Sequence, residues 1–238
     1  MNVIRTMKST RLTNGLNMRP AFFNDSPIVL KLIQDNFSRD PHYKSVGCTI
    51  SELGPIANRK LQKALQQPYS LIIEDSDGHP SGFVLASKTH RYRERRREAS
   101  EVDKDNGVNY VYLDRLFKFC RLHFWVNVHD RYEKVAVLKS IVLLGKQDLA
   151  VYTSIIAATI KRIRESDETI EGVMCVATDE MTLKTLKEAG FQVLFSCPPE
   201  MYVKDCGEIW QPQSNLRSAH VAWIPFEDVV ARKKRGTK

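Results

Sequence analysis

The residues of this chain best suited to chemistry stand at a turn, Gln147-Asp148-Leu149-Ala150-Val151-Tyr152. It follows the apolar, β-branched run VAVLKSIVLL and opens LAVYTSIIAATIKRI, where Val151, Ile155, Ile156, Ile160 and Ile163 recur at helical intervals. A strand that enters a helix through a tight turn aims unbonded backbone N–H groups beyond its own end, a seat for phosphate or pyrophosphate. The same unit also serves, without any ligand, as a plain piece of an α/β core. A second candidate is Asp40, just before Pro41 and close to Tyr43. An aspartate there forms a turn or, placed in a cleft, takes a proton as a general base. The third is the aromatic stretch 109–128, which carries Tyr110, Tyr112, Phe119 and Trp125 besides its helical stripe. Those rings pack into a core or wall a pocket for an aromatic or acyl guest.

Other chemistries find little support. The histidines are scattered and none stands beside a paired ligand, so no metal site is read. Cys48, Cys120, Cys175, Cys197 and Cys206 are odd in number and form no CxxC pair, which fits reduced thiols in an intracellular compartment. The opening MNVIRTMKSTRLTNG lacks the apolar centre of a secretory signal, and no stretch approaches the roughly 18 apolar residues of a membrane span. A cytoplasmic protein with no membrane partner is therefore expected. The net charge of +8 gathers in HRYRERRRE at 90–98 and RKKRG at 232–236. The first is interleaved with glutamate and reads as a solvated loop, the second as a tail able to serve as a nuclear signal. With no aromatic platform or zinc spacing beside it, the charge does not indicate a nucleic-acid partner.

The elements that must position these residues read as α/β. LNMRPAF (16–22) is a first strand, with Pro20 implying an edge or a bulge. Ser26 is the expected N-cap of a helix with Pro27 in its first turn, ending near Pro41. A short helix follows between Ile56 and Gln67, then a hairpin, SLIIED and SGFVLASK about the turn pair Asp77-Gly78. Residues 88–108 read as a charged loop, a candidate lid. After the aromatic helix, the apolar strand and the helix from Val151, a strand at 172–178 leads to Asp179 as N-cap. The next helix buries Leu183 and Leu186 and ends at Gly190. Strands at 191–196 and 218–224 close a mixed sheet of about seven strands flanked by helices. The domain runs over 16–226, between a loose segment 1–15 and a basic tail 227–238.

This order resembles the GNAT acetyltransferase fold, and ATDEMTLKTLKEAGFQV resembles its late strand–helix–strand motif ending in Gly-Phe, here Gly190-Phe191. FSRDPH and DRYEKVAVLKSIVLL are similar to segments of the insect arylalkylamine N-acetyltransferases. The resemblance implies acetyl-CoA as co-substrate and transfer of its acetyl group to a primary amine, an arylalkylamine in that subgroup. It implies that Asp40 is the base and that Thr178 and Thr182 are the hydroxyls near the thiol. Ile141, Val142 and Leu143 would pair with the pantetheine amides, Gln147 to Tyr152 would take the pyrophosphate, and Asp179 would contact the cofactor.

The chain departs from the family pattern in ways with physical consequences. The family turn runs Arg/Gln-x-x-Gly-x-Gly/Ala, whereas Ala150 and Tyr152 stand at the glycine positions, and a tyrosine obstructs the close approach that glycine permits. Asp148 adds a negative charge where an anion is to bind, a cost of roughly 4 kcal/mol at 4 Å and an effective dielectric of 20. Asp40 replaces a glutamate and reaches one methylene less far. Leu186 stands where many family members carry a tyrosine acid, which leaves that role to Thr182 or to no residue. The alternative is a GNAT-fold protein with weakened catalysis that binds a small molecule or a partner.

Overall fold

The computed structural model describes residues 9–12, 15–37, 61–92, 108–145, 148–198 and 218–227, with single residues at 49, 51 and 58. Its elements are β1 (Thr10–Arg11), β2 (Asn17–Pro20), α1 (Ser26–Phe37), β3 (Leu71–Glu74), β4 (Pro80–His90), α2 (Val108–Asn127), β5 (Lys134–Leu143), α3 (Leu149–Ser166), β6 (Gly172–Ala177), α4 (Glu180–Glu188), β7 (Gln192–Cys197) and β8 (Ala219–Pro225). The strands form one sheet in the order β1-β2-β3-β4-β5-β6-β8-β7. Every pairing is antiparallel except that of β5 with β6. The eighth strand is the two-residue β1, which lies in the amino-terminal segment. Its pairing stops at Met18, so Pro20 sits where that side of β2 is open and a missing N–H costs nothing. No helix among the described residues is long and apolar enough to cross a membrane.

The apolar run from Val135 to Leu138 in β5 is explained by burial on both faces. Val135 and Val137 point into a cluster with Leu116, Cys120 and Phe124 of α2. Ala136 and Leu138 point the other way, against Ile155, Ile156 and Ile163 of α3. Period-two alternation with two apolar faces leaves no polar position to mark the strand. A third cluster packs Val29 and Leu32 of α1 with Ile72, Phe83 and Val142. Burying each of the three α3 isoleucines contributes about 1.5–3 kcal/mol. The hairpin turn is as expected, with Gly78 at a φ of 82°, and Gly190 ends α4 at 90°. Residues 61–65 of the expected second helix are helical.

Two expectations need correction. Ser26 is the first helical residue and not the cap: its hydroxyl donates to the Phe23 carbonyl at 2.7 Å, in a 3-10 turn spanning Phe23–Asp25. Asp25 holds that turn, accepting from the Phe22 N–H at 2.7 Å and from Arg19 at 2.8 and 2.9 Å. A carboxylate neutralised by a guanidinium outcompetes a hydroxyl for the lead-in. The charged loop also begins later than residue 88, since β4 runs to His90; residues 93–107 lie outside the described residues. Arg91, expected in solvent, is buried. Its guanidinium donates to the carbonyls of Trp125, Val128, His129 and Tyr132 and to Asp130. The planar fork satisfies acceptors that the end of α2 and its following turn would otherwise bury unbonded.

Two carboxylates, the buried Glu171 and the half-buried Asp167, tie the layers together. Glu171, ahead of β6, accepts from the Glu133 and Lys134 N–H groups at 2.5 and 2.8 Å, so it clasps the start of β5. Asp167, at the end of α3, takes Lys88 Nζ at 2.7 Å, the Tyr69 hydroxyl at 2.6 Å and the Thr169 hydroxyl at 2.6 Å. Burial alone would raise Asp167, but Lys88, Thr169 and Tyr69 hold it well below the usual carboxylate range.

Arg91→Met should destabilise the fold by about 3 kcal/mol, read by urea denaturation, because it leaves buried carbonyls without donors. A loss below about 0.5 kcal/mol would contradict that role. For Asp167 the folded pKa lies below the unfolded value of about 3.9. Its stabilising contribution is therefore complete above that value and is lost as pH falls through the folded pKa. The melting temperature should drop as pH is lowered below about 4, and Asp167→Asn should flatten that acid limb. An unchanged limb in the variant would place the acid sensitivity elsewhere.

Candidate active site: a gap between parting strands

The parallel pair β5–β6 is joined at Ala136–Val173, Val137–Met174 and Leu138–Cys175, and there the pairing stops. The next residue of β5, Lys139, is extra in the register with β4, where Ser140 pairs with Leu85 and Leu138 with Ala86. A bulge bends its strand and increases the local twist, so β5 turns away from β6 at the point where pairing ends. Beyond it β5 pairs only with β4, through Leu143, and β6 pairs only with β8, through Ala177. A wedge-shaped gap opens between two strands of one sheet.

The backbone of β5 faces this gap with every second residue. Leu144 N bonds Ser81 O on β4 at 2.8 Å. In an antiparallel ladder alternate residues point their N–H and C=O to opposite sides, so Val142 also faces β4 while Ile141 and Leu143 face the gap. Of the three expected strand contacts, Ile141 and Leu143 thus present backbone groups there, and Val142 does not. The Val142 side chain fills the α1-side cluster.

The turn into α3 lies at the open end. Gln147 lies outside the described residues. Asp148 is the N-cap of α3, its carboxylate accepting from Ala150 N at 2.9 Å, and Tyr152 N closes the first turn on Asp148 O at 3.0 Å. Leu149 and Val151 contribute the remaining first-turn N–H groups, which have no intrahelical acceptor. Tyr152 is half-buried in the first turn of α3. Burial pushes the phenol's pKa up, the Leu143 N–H opposes this and the charge of Asp179 adds to it. The hydroxyl therefore stays protonated at neutral pH.

Across the gap, Thr178 is half-buried at the exit of β6. Asp179 caps α4, as expected, accepting from Thr182 N at 2.8 Å and from the Thr182 hydroxyl at 2.7 Å. The proton of Thr182 is thereby directed at a carboxylate within its own cap. Leu186 is fully buried beneath α4. Cys175, at the closed point of the wedge, is a neutral thiol: burial, with Asp179 adding, pushes it up to about 12. Asp40 and Tyr43 lie outside the described residues, as do the side chains of Tyr110 and Tyr112. Trp125 and Phe119 pack with the core.

One pair beside the gap carried no mark in the sequence. His220 pairs with Ala177 across β6 and β8, and its Nδ1 lies 2.7 Å from the Ser196 hydroxyl. Burial, then the charge of Lys187, lowers its pKa and keeps the imidazole neutral. Its partners come from three separate elements, so no local spacing announces it.

Neither a protein-family model nor a curated protein sequence matches the chain. Solved structures do. The polyamine N-acetyltransferase of Drosophila melanogaster superposes with a TM-score of 0.71 at 10% identity, over 89% of this chain and 100% of that one. Arylalkylamine N-acetyltransferase 2 from Aedes aegypti does so at 0.64 and 14% identity, over 89% and 99%. Arabidopsis thaliana NAA60 in complex with acetyl-CoA reaches 0.52 at 10% identity, over 89% and 99%. The likeness shows that this chain has the GNAT N-acetyltransferase fold.

Proposed function

From the acetyltransferase fold we propose that the chain is an acetyl-CoA-dependent N-acetyltransferase of primary amines, arylalkylamines first among them, built as one domain over residues 16–226. The observation that carries this reading is the parting of β5 and β6 after Leu138 and Cys175, with the Ile141 and Leu143 backbone turned into the gap. A strand edge held open inside a sheet is a pairing surface for an amide-bearing arm, and pantetheine carries two amides in line. Acetyl-CoA supplies an activated thioester. Ile141 and Leu143 would hold its arm, while the N–H groups of Leu149 and Val151, with Gln147, would meet its diphosphate. A protonated amine is no nucleophile, so Asp40 takes its proton directly or through water. Thr178, at the mouth of β6, serves the leaving sulfur with a hydroxyl. Thr182 and Asp179 would position that end through their shared cap.

The corner as folded has its Ala150 donor on the Asp148 carboxylate. That self-satisfaction favours a second reading, a GNAT-fold binding module in which the diphosphate seat has been given up. The two readings part in one set of measurements. In the first, acetyl-CoA raises the melting temperature at micromolar concentration, and free thiol appears with tyramine, dopamine, tryptamine or agmatine. Asp40→Asn should then lower turnover about a hundredfold with coenzyme A affinity unchanged. If millimolar acetyl-CoA leaves melting unmoved, the binding module stands and the transferase does not.

A further inference from the structure

The guanidinium of Arg162 differs from those that tie the fold together. Arg91 is engaged by the carbonyls at the end of α2 and by Asp130, and Arg19 by Asp25 and Glu74. Nε and Nη2 of Arg162 are buried and have no hydrogen-bond partner among the described residues. These two atoms form one edge of the guanidinium, and their N–H bonds run side by side toward a common acceptor. Charged donors left dry cost more than neutral ones, so an unbonded pair points to an acceptor from outside the chain. The surroundings supply none. Arg162 and Ala158, one turn apart on α3, line a crevice against Thr10 of β1, Met18 and Pro20 of β2 and Leu71 of β3. Met18, Pro20 and Leu71 are buried and apolar, and the exposed Thr10 brings a hydroxyl. The Pro20 carbonyl is already taken by Arg19 Nη1 at 3.2 Å. Ser166, one turn further along the same face of α3, also has a buried hydroxyl without a partner among the described residues. Donors are in surplus on this face of the helix.

We infer that Arg162 holds a monatomic anion of chloride size in the crevice between α3 and the β1–β3 edge of the sheet. The size follows from the space, which has room for about one water-sized body. A carboxylate or a phosphate is larger than that. Water would accept from the guanidinium but leave its charge without a counter-charge, whereas a halide supplies both. Apolar walls suit a weakly hydrated ion, and the paired N–H edge gives it direction. The site lies across β4 from the β5–β6 gap, on the amino-terminal edge of the sheet, and does not depend on the transferase reading. Its consequence is mechanical: the ion neutralises the cation that α3 presses against β2 and β3. Because it binds the folded chain and not the unfolded one, occupancy stabilises the domain by mass action.

The test follows melting of wild type, Arg162→Met and Arg162→Lys in sodium chloride and in sodium gluconate at matched ionic strength, each protein first checked by far-UV dichroism. Gluconate carries the same charge and is too large for the crevice, so screening is held constant between the two salts. Wild type should show a saturable rise of about 4 °C once chloride reaches about ten times its dissociation constant. Arg162→Met should show none. Arg162→Lys should bind about tenfold more weakly, because the ammonium keeps the charge and loses the paired edge. Chlorine NMR reads binding apart from stability: wild type should broaden the chloride line, bromide should narrow it again by displacement, and Arg162→Met should leave it sharp. Equal melting of wild type in the two salts, with no broadening, overturns the inference and leaves water as the acceptor. A chloride response that survives in folded Arg162→Met places the ion elsewhere and overturns it as well.

Discussion

The buried carboxylate of Glu171 holds the base of the wedge on which the rest of this structure depends. It accepts from two successive N–H groups at the start of β5, and its own N–H returns a bond to the Lys134 carbonyl. A carboxylate on backbone donors is a strong, directional tie. With the strands clasped at that end and bent apart by the Lys139 bulge, the sheet opens in one direction only. Everything assigned to the gap, from the exposed faces of Ile141 and Leu143 to the caps of α3 and α4, sits at its open end.

Keeping a sheet open inside a folded domain has a cost, because backbone donors and acceptors without partners are unfavourable when water is excluded. The chain meets that cost with its own side chains. Asp148 takes one helix N–H, and Asp179 takes the N–H and hydroxyl of Thr182. Each contact stabilises the domain at the open end of the gap.

Away from the gap, polar side chains join the layers. Arg91 gathers the carbonyls at the end of α2, and Asp167 joins α3 to β4 through Lys88. Arg19 spans Asp25 and Glu74 at 2.8 and 2.6 Å. These ties link elements far apart in the chain and fix the helices on either face of the sheet.

The sequence by itself determined the elements. Helical spacing marked α3, the β-branched run marked β5, Asp179 and Gly190 bounded α4, and Asp77-Gly78 marked the hairpin, because each signal is local and comes from backbone geometry within a few residues. It also showed that the turn at 147–152 departs from the acetyltransferase pattern, with Tyr152 at a glycine position. Only the tertiary structure decided where the sheet opens. The parting of β5 from β6 depends on pairings between distant strands, and which backbone faces the gap depends on a single bulge at Lys139. Arg91 read as solvated charge and is buried, since its acceptors lie 34 to 41 residues onward in the chain. Ser26 yielded its capping role to Asp25 because Arg19, on a neighbouring strand, changed the competition. The pairing of His220 with Ser196 was likewise illegible, for a contact across a sheet leaves no trace in local spacing.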